Sequence, residues 1–128
     1  MRDEQVRRYA RHILLPDVGG LGQTALLRSS ARVTVSREPI ADLIAATYLA
    51  AGGVGTVIVP GATDDELAQI AKAGPDAHVA ATTEAHVADV GVNAVPDWWP
   101  SVDGDATALA FWRGGLAATR WMADIANR

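Results

Sequence analysis

A chain of 128 residues, 49% hydrophobic and 20% charged, is long enough for one hydrophobic core and ordinary in composition for a soluble domain. Its net charge of −4 disfavours nonspecific nucleic-acid binding, and its lack of cysteine excludes disulfides, thiolate zinc sites and a cysteine nucleophile. No apolar run approaches a membrane span, so the expectation is a cytoplasmic protein with one domain over residues 1–128 and neither nucleic acid nor membrane as partner.

Residues 1–30 read as an N-terminal helical arm. Asp3 to Leu14 suits a helix with Val6, Ala10 and Ile13 on one face and arginines on the other, ended by Pro16. Gly19-Gly20-Leu21-Gly22 reads as a flexible corner, and Gln23 to Arg28 as a short second helix. The glycines follow a helix rather than a strand, so they do not carry a phosphate-loop assignment.

Residues 31–95 read as a βαβαβ core. Arg32 to Ser36 is expected to be a strand with Val33 and Val35 buried. Pro39 suits the first turn of a helix because its missing N–H would be unpaired there. That helix runs to Ala51, with Ile40, Leu43, Ile44, Thr47 and Tyr48 as its expected apolar face, and Gly52-Gly53 stops it. Thr56 to Val59 is a β-branched second strand. Thr63-Asp64-Asp65-Glu66 has the spacing of a capping box, which accounts for the acids without a ligand. His78 to Thr82 and Val87 to Val95 read as further strands.

Residues 96–128 read as a loop and a C-terminal helix. Pro96 to Asp105 is the loop, with Trp98-Trp99 as a candidate anchor at an interface or over the sheet edge. Ala106 to Trp112 is expected to be extended, and Gly115 to Ala126 helical with Leu116, Met122 and Ile125 inward. Strands alternating with helices predict an α/β fold, a parallel sheet with helices on both faces. His12, His78 and His86 have no metal-ligand spacing, and no nucleophile elbow is present.

Arg8-Tyr9-Ala10-Arg11-His12-Ile13-Leu14-Leu15-Pro16, then Gly19-Gly20-Leu21-Gly22-Gln23, resembles the opening of the ThiF/MoeB/HesA family, bacterial relatives of ubiquitin-activating enzymes. Tyr48-Leu49-Ala50-Ala51-Gly52-Gly53-Val54-Gly55 is similar to the family's segment between first helix and second strand. Gly115-Leu116-Ala117-Ala118-Thr119 is a looser match to a late helix. The resemblance implies a Rossmann-like sheet with flanking helices, commonly dimeric, that uses Mg-ATP to adenylate the C-terminus of a ubiquitin-like carrier protein.

The same resemblance places the family's glycine-rich phosphate turn on Arg37 to Asp42, with its glycines at Arg37, Pro39, Ile40 and Asp42. Pro39 removes an N–H, Arg37 and Ile40 add bulk, and Glu38 and Asp42 bring negative charge to the helix N-terminus a phosphate would use. The acid expected on the ribose falls near Gly61. The basic and metal-holding middle of the family is missing, as are its cysteines.

The expectation is a catalytically inactive module with no cofactor and no metal. It would form a homodimer, or a heterodimer with an active family member, through the N-terminal and last helices. Arg11 matches the family residue that reaches a partner's nucleotide, and Arg37 is a weaker candidate contact. The alternative is an active enzyme, adenylating a ubiquitin-like carrier with ATP and magnesium, Arg37 replacing the loop and Asp64 or Asp65 holding the metal. A third reading puts another small ligand at the strand ends near Ser36 and Asp89, with Arg37 meeting an anion.

Overall fold

A computed structural model describes residues 1–10, 19–37, 39–92 and 106–127. The elements in chain order are α1 (Asp3–Arg8), α2 (Gly19–Leu27), β1 (Ser30–Arg32), α3 (Pro39–Ala51), β2 (Thr56–Ile58), α4 (Asp64–Ala73), β3 (His78–Ala80), β4 (Ala88–Asp89) and α5 (Ala106–Ala126). The four strands form one sheet in the order β3-β2-β1-β4, every neighbouring pair parallel. The α/β class and the parallel sheet are therefore as expected. Helices α3 and α4 are the crossovers that parallel pairing requires.

The register aligns Ala31 with Val57 and Ala88, and Val57 with Val79. Hydrogen bonding runs past the strand ends: Val33 N donates to Ile58 O at 2.8 Å and Val35 N to Pro60 O at 2.9 Å. The inward positions of the β1 segment are thus Ala31, Val33 and Val35, while Ser30, Thr34 and Ser36 are exposed. Val90 and Val92 are buried after β4, as their alternation predicts; residues 93–95 of that expected strand lie outside the described residues.

Helices on both faces were expected. Among the described residues, α2, α3, α4 and α5 instead share one core with Ala31, Val33, Val57 and Val59. On the opposite face Arg32 forks onto Asp89 across β1 and β4, at 2.6 and 3.0 Å. The two crossovers step the same way along the sheet, so their shared handedness brings both helices to one side.

Three local expectations are corrected. Gly19–Gly22 is the first turn of α2, not a corner: Gly22 and Gln23 are buried there, and burial outweighs glycine's poor helix propensity. Ala106 to Trp112 is not extended but belongs to a single 21-residue helix that runs through Gly114-Gly115. A Cβ on Gly114 would stand 2.4 Å from Ala41 O, so the glycine is the point where α5 meets the α3 backbone. The buried face of α3 is also rotated from the expected one. Ala41, Ala45, Ala46, Leu49 and Ala50 are fully buried, whereas Ile40 and Tyr48 are exposed. Alanines carry a weak hydrophobic signal, yet they let a helix lie close to its neighbours.

The capping box at α4 forms as the spacing predicts. Glu66 N donates to Thr63 Oγ1 at 3.2 Å, and Thr63 N donates to Glu66 Oε1 at 2.8 Å. Asp64 and Asp65 are exposed acids in that first turn, where they favour the positive end of the helix.

Candidate functional site

The turn leaving β1 is where an open parallel sheet ordinarily takes a ligand. Here the turn is closed by its own chain. Asp42, 2% exposed in the first turns of α3, reaches back so that its Oδ2 accepts from Ser36 N at 2.7 Å and from Ser36 Oγ at 2.7 Å. The backbone amide that leads the turn is thus already bound to an anion. Pro39 occupies the first position of α3 and brings no N–H. A further unit of negative charge about 4 Å from the Asp42 carboxylate would cost roughly 4 kcal/mol at an effective dielectric near 20. Arg37 is exposed beside the turn; Glu38 lies outside the described residues.

The N-terminal sequence element resolves into a tether. Asp76, in the turn between α4 and β3, collects Arg2 Nη2 at 3.1 Å, Tyr9 Oη at 2.7 Å and the Arg8 guanidinium. Tyr9 is 2% exposed, and a Cβ at Gly53 would stand 3.0 Å from its ring. Gln23, also buried, donates from Nε2 to Gly52 O at 3.0 Å. Arg8-Tyr9, Gln23 and Gly52-Gly53 come from separate parts of the sequence and meet here. Gly53 has φ +97, and a side chain there would strike both Gln23 and Tyr9. Arg11 lies outside the described residues.

Burial followed by the hydrogen bond to Asp76 pushes the Tyr9 hydroxyl up to about 12 from an ordinary 10.0. Its folded pKa exceeds its unfolded one, so its contribution is complete below pH 10 and is lost as pH rises toward 12. Denaturant titrations from pH 9 to 12 should show stability falling by about 2 kcal/mol, with the fall flattened in Tyr9→Phe.

Beside the closed turn is a cleft of about 410 Å³. Arg37, Pro39 and Ile40 line one wall; Thr107, Leu109, Ala110 and Arg113 of α5 line the other. A second recess of about 350 Å³ lies on the outer surface of α3 and α5, among Tyr48, Phe111, Trp112 and Leu116. Phe111 is 52% and Trp112 64% exposed, so the recess has an unburied aromatic rim.

Of the residues the sequence singled out, the fold places Arg37 at the cleft and occupies Ser36 with Asp42 and Asp89 with Arg32. Trp98-Trp99 lies outside the described residues. Sequence reasoning quoted Gln23 only as part of a motif and gave it no role, and it missed Asp76 and Arg113. Asp76 is an isolated polar residue with no local pattern, and Arg113 falls in a segment expected to connect an extended stretch to a helix. No protein-family model matches the chain, and no curated protein matches it either.

Proposed function

We propose that this chain is a non-catalytic, Rossmann-like module that binds a partner rather than turning over a nucleotide, an inactive relative of the ThiF/MoeB/HesA fold working in the cytoplasm. The observation that carries this reading is the Asp42 carboxylate bound to Ser36 N and Oγ. A phosphate loop works by offering backbone N–H groups to an anion. In this chain the turn's own carboxylate takes the leading amide, and proline removes another donor. The partner is a second copy of the chain or a related adenylating subunit, and the exposed rim of Tyr48, Phe111 and Trp112 supplies the aromatic anchors typical of such contacts. On this reading Arg8 and Tyr9 are kept for stability, because they hold Asp76 within the same chain.

Isothermal titration with Mg-ATP tests the nucleotide half. The expected result is no saturable heat up to about 1 mM, and a micromolar Kd would overturn it. Light scattering of Trp112→Ser tests the partner half. The wild-type chain should run as a dimer and the variant as a monomer of unchanged fold. Pyrophosphate exchange in the presence of a ubiquitin-like carrier would revive the adenylating alternative.

No helix among the described residues is long and apolar enough to cross a membrane.

A further inference from the structure

We propose that Met122 is a modification site: a hydroperoxide oxidises its thioether to the sulfoxide, and the added oxygen loosens the junction of α3 and α5 until a reductase removes it. Neither a docking partner nor the turn after β1 enters into it.

Composition makes the sulfur distinctive. The chain has no cysteine and two methionines, and the other methionine is the exposed Met1. No thiol competes with Met122 for an oxidant.

Position gives the oxygen something to disturb. In α5, Ala118, Met122 and Ile125 follow at helical spacing and pack against the core. The Met122 side chain reaches the carboxyl end of α3. Its sulfur stands in the space that a Cβ on Gly52 would fill, with Cε 3.0 Å from that point. Glycine at position 52 is what lets the thioether lie on the α3 backbone. Met122 is partly buried rather than sealed in, the exposure that an oxidant as small as hydrogen peroxide needs.

The surroundings suit a thioether and not a sulfoxide. Gly52 N donates to Tyr48 O at 2.8 Å and Gly53 N to Ala50 O at 3.2 Å, so both donors are spent on closing α3. Tyr48 O stands 3.1 Å from the same Cβ point, so an oxygen added on that side meets a carbonyl oxygen. The S–O dipole either goes unpaired or turns to water and draws the side chain out of the contact. Gly52 O also accepts from Gln23 Nε2 at 3.0 Å, and Gly53 backs onto the Tyr9 ring, so the disturbance reaches the N-terminal tether.

In the step itself, a lone pair of Sδ attacks one peroxide oxygen. The S–O bond forms as the O–O bond breaks, and the departing hydroxide leaves as water with the proton of the transferred oxygen. Sulfur loses two electrons and the peroxide gains them.

The test is millimolar hydrogen peroxide on the folded full chain, followed by peptide mass mapping, thermal melting and amide exchange. Met122 should gain a single oxygen, Tm should fall by about 5 °C, and exchange at Gly52, Gly53 and Val54 should rise. The two methionine sulfoxide reductases, specific for opposite sulfur epimers, should restore Tm when supplied with a dithiol. Met122→Leu, close in volume, should keep its Tm in peroxide although it retains Met1. A Met122 that stays reduced in the folded chain while Met1 is oxidised would overturn the proposal. So would an oxidised chain that melts like the untreated one, or a Met122→Leu chain that loses as much Tm in peroxide as wild type. Should Met122→Leu fold poorly, the wild-type chain decides: recovery of Tm by the reductases supports the proposal, and a Tm that stays low once the oxygen is removed counts against it.

Discussion

Asp76→Ala should destabilise the protein by about 3 kcal/mol, roughly 10 °C in Tm for a chain of this size. The carboxylate is 7% exposed at its side chain and serves Tyr9, Arg8 and Arg2 together. Removing it leaves the buried Tyr9 hydroxyl without its acceptor and an arginine pair without its counter-charge. Arg2 is largely solvated and adds little, since exposed pairs contribute roughly 0–1 kcal/mol. Tyr9→Phe, which deletes one hydrogen bond but keeps the ring on Gly53, should cost about 1 kcal/mol. Urea unfolding of both variants checks the ordering; an Asp76→Ala chain as stable as wild type would remove the tether from the account.

The same tether predicts acid sensitivity. Burial alone would raise the Asp76 carboxyl, but hydrogen bonds from Tyr9 and Arg8 more than offset it, and the net shift is below the ordinary 3.8. A depressed folded pKa means the stabilisation is complete above 3.8 and is lost as pH falls further. Acid unfolding should therefore begin at higher pH in Asp76→Asn than in wild type.

Gly114→Ala and Gly115→Ala should have opposite signs, although the residues are adjacent in one helix. A Cβ on Gly114 would meet Ala41 O at 2.4 Å and Ala45 N at 3.0 Å, both backbone atoms of α3. Helix α5 must lift from α3, breaking the most extensive helix contact in the fold, at a cost of about 3 kcal/mol. A Cβ on Gly115 would touch the Tyr48 ring at 3.6 Å, an ordinary contact. There alanine should stabilise by roughly 0.5–1 kcal/mol, through better helix propensity and a less disordered unfolded chain. Thermal melts of the two variants decide the point: equal destabilisation would mean that the glycines act only through propensity.

The carboxylate at the turn bears on function more directly than either stability prediction. A nucleotide-binding turn and this one share the same need, an acceptor for exposed amides at a helix start. Here Asp42 meets it from within the chain. The partner proposed above would dock on the aromatic rim of α3 and α5.

Much of this was legible from residue order. The α/β alternation, the buried valines after Ser30, the stop at Gly52-Gly53 and the capping box at Thr63 each depend on residues within a few positions of one another. The chemistry of the turn after β1 was legible for the same reason: Pro39 lacks a donor and Asp42 bears a charge in any fold that starts a helix there. What tertiary structure alone decided is everything that joins distant residues. Tyr9 and Asp76 are 67 positions apart. Arg37, just before α3, and Arg113, on α5, line one cleft. The alanine face of α3 was hidden because an alanine's contribution lies in how closely it lets a neighbour approach, and that depends on the neighbour. Local hydrogen bonding and backbone restriction are written residue by residue, whereas close packing is a property of pairs of surfaces that exist only once the chain has folded.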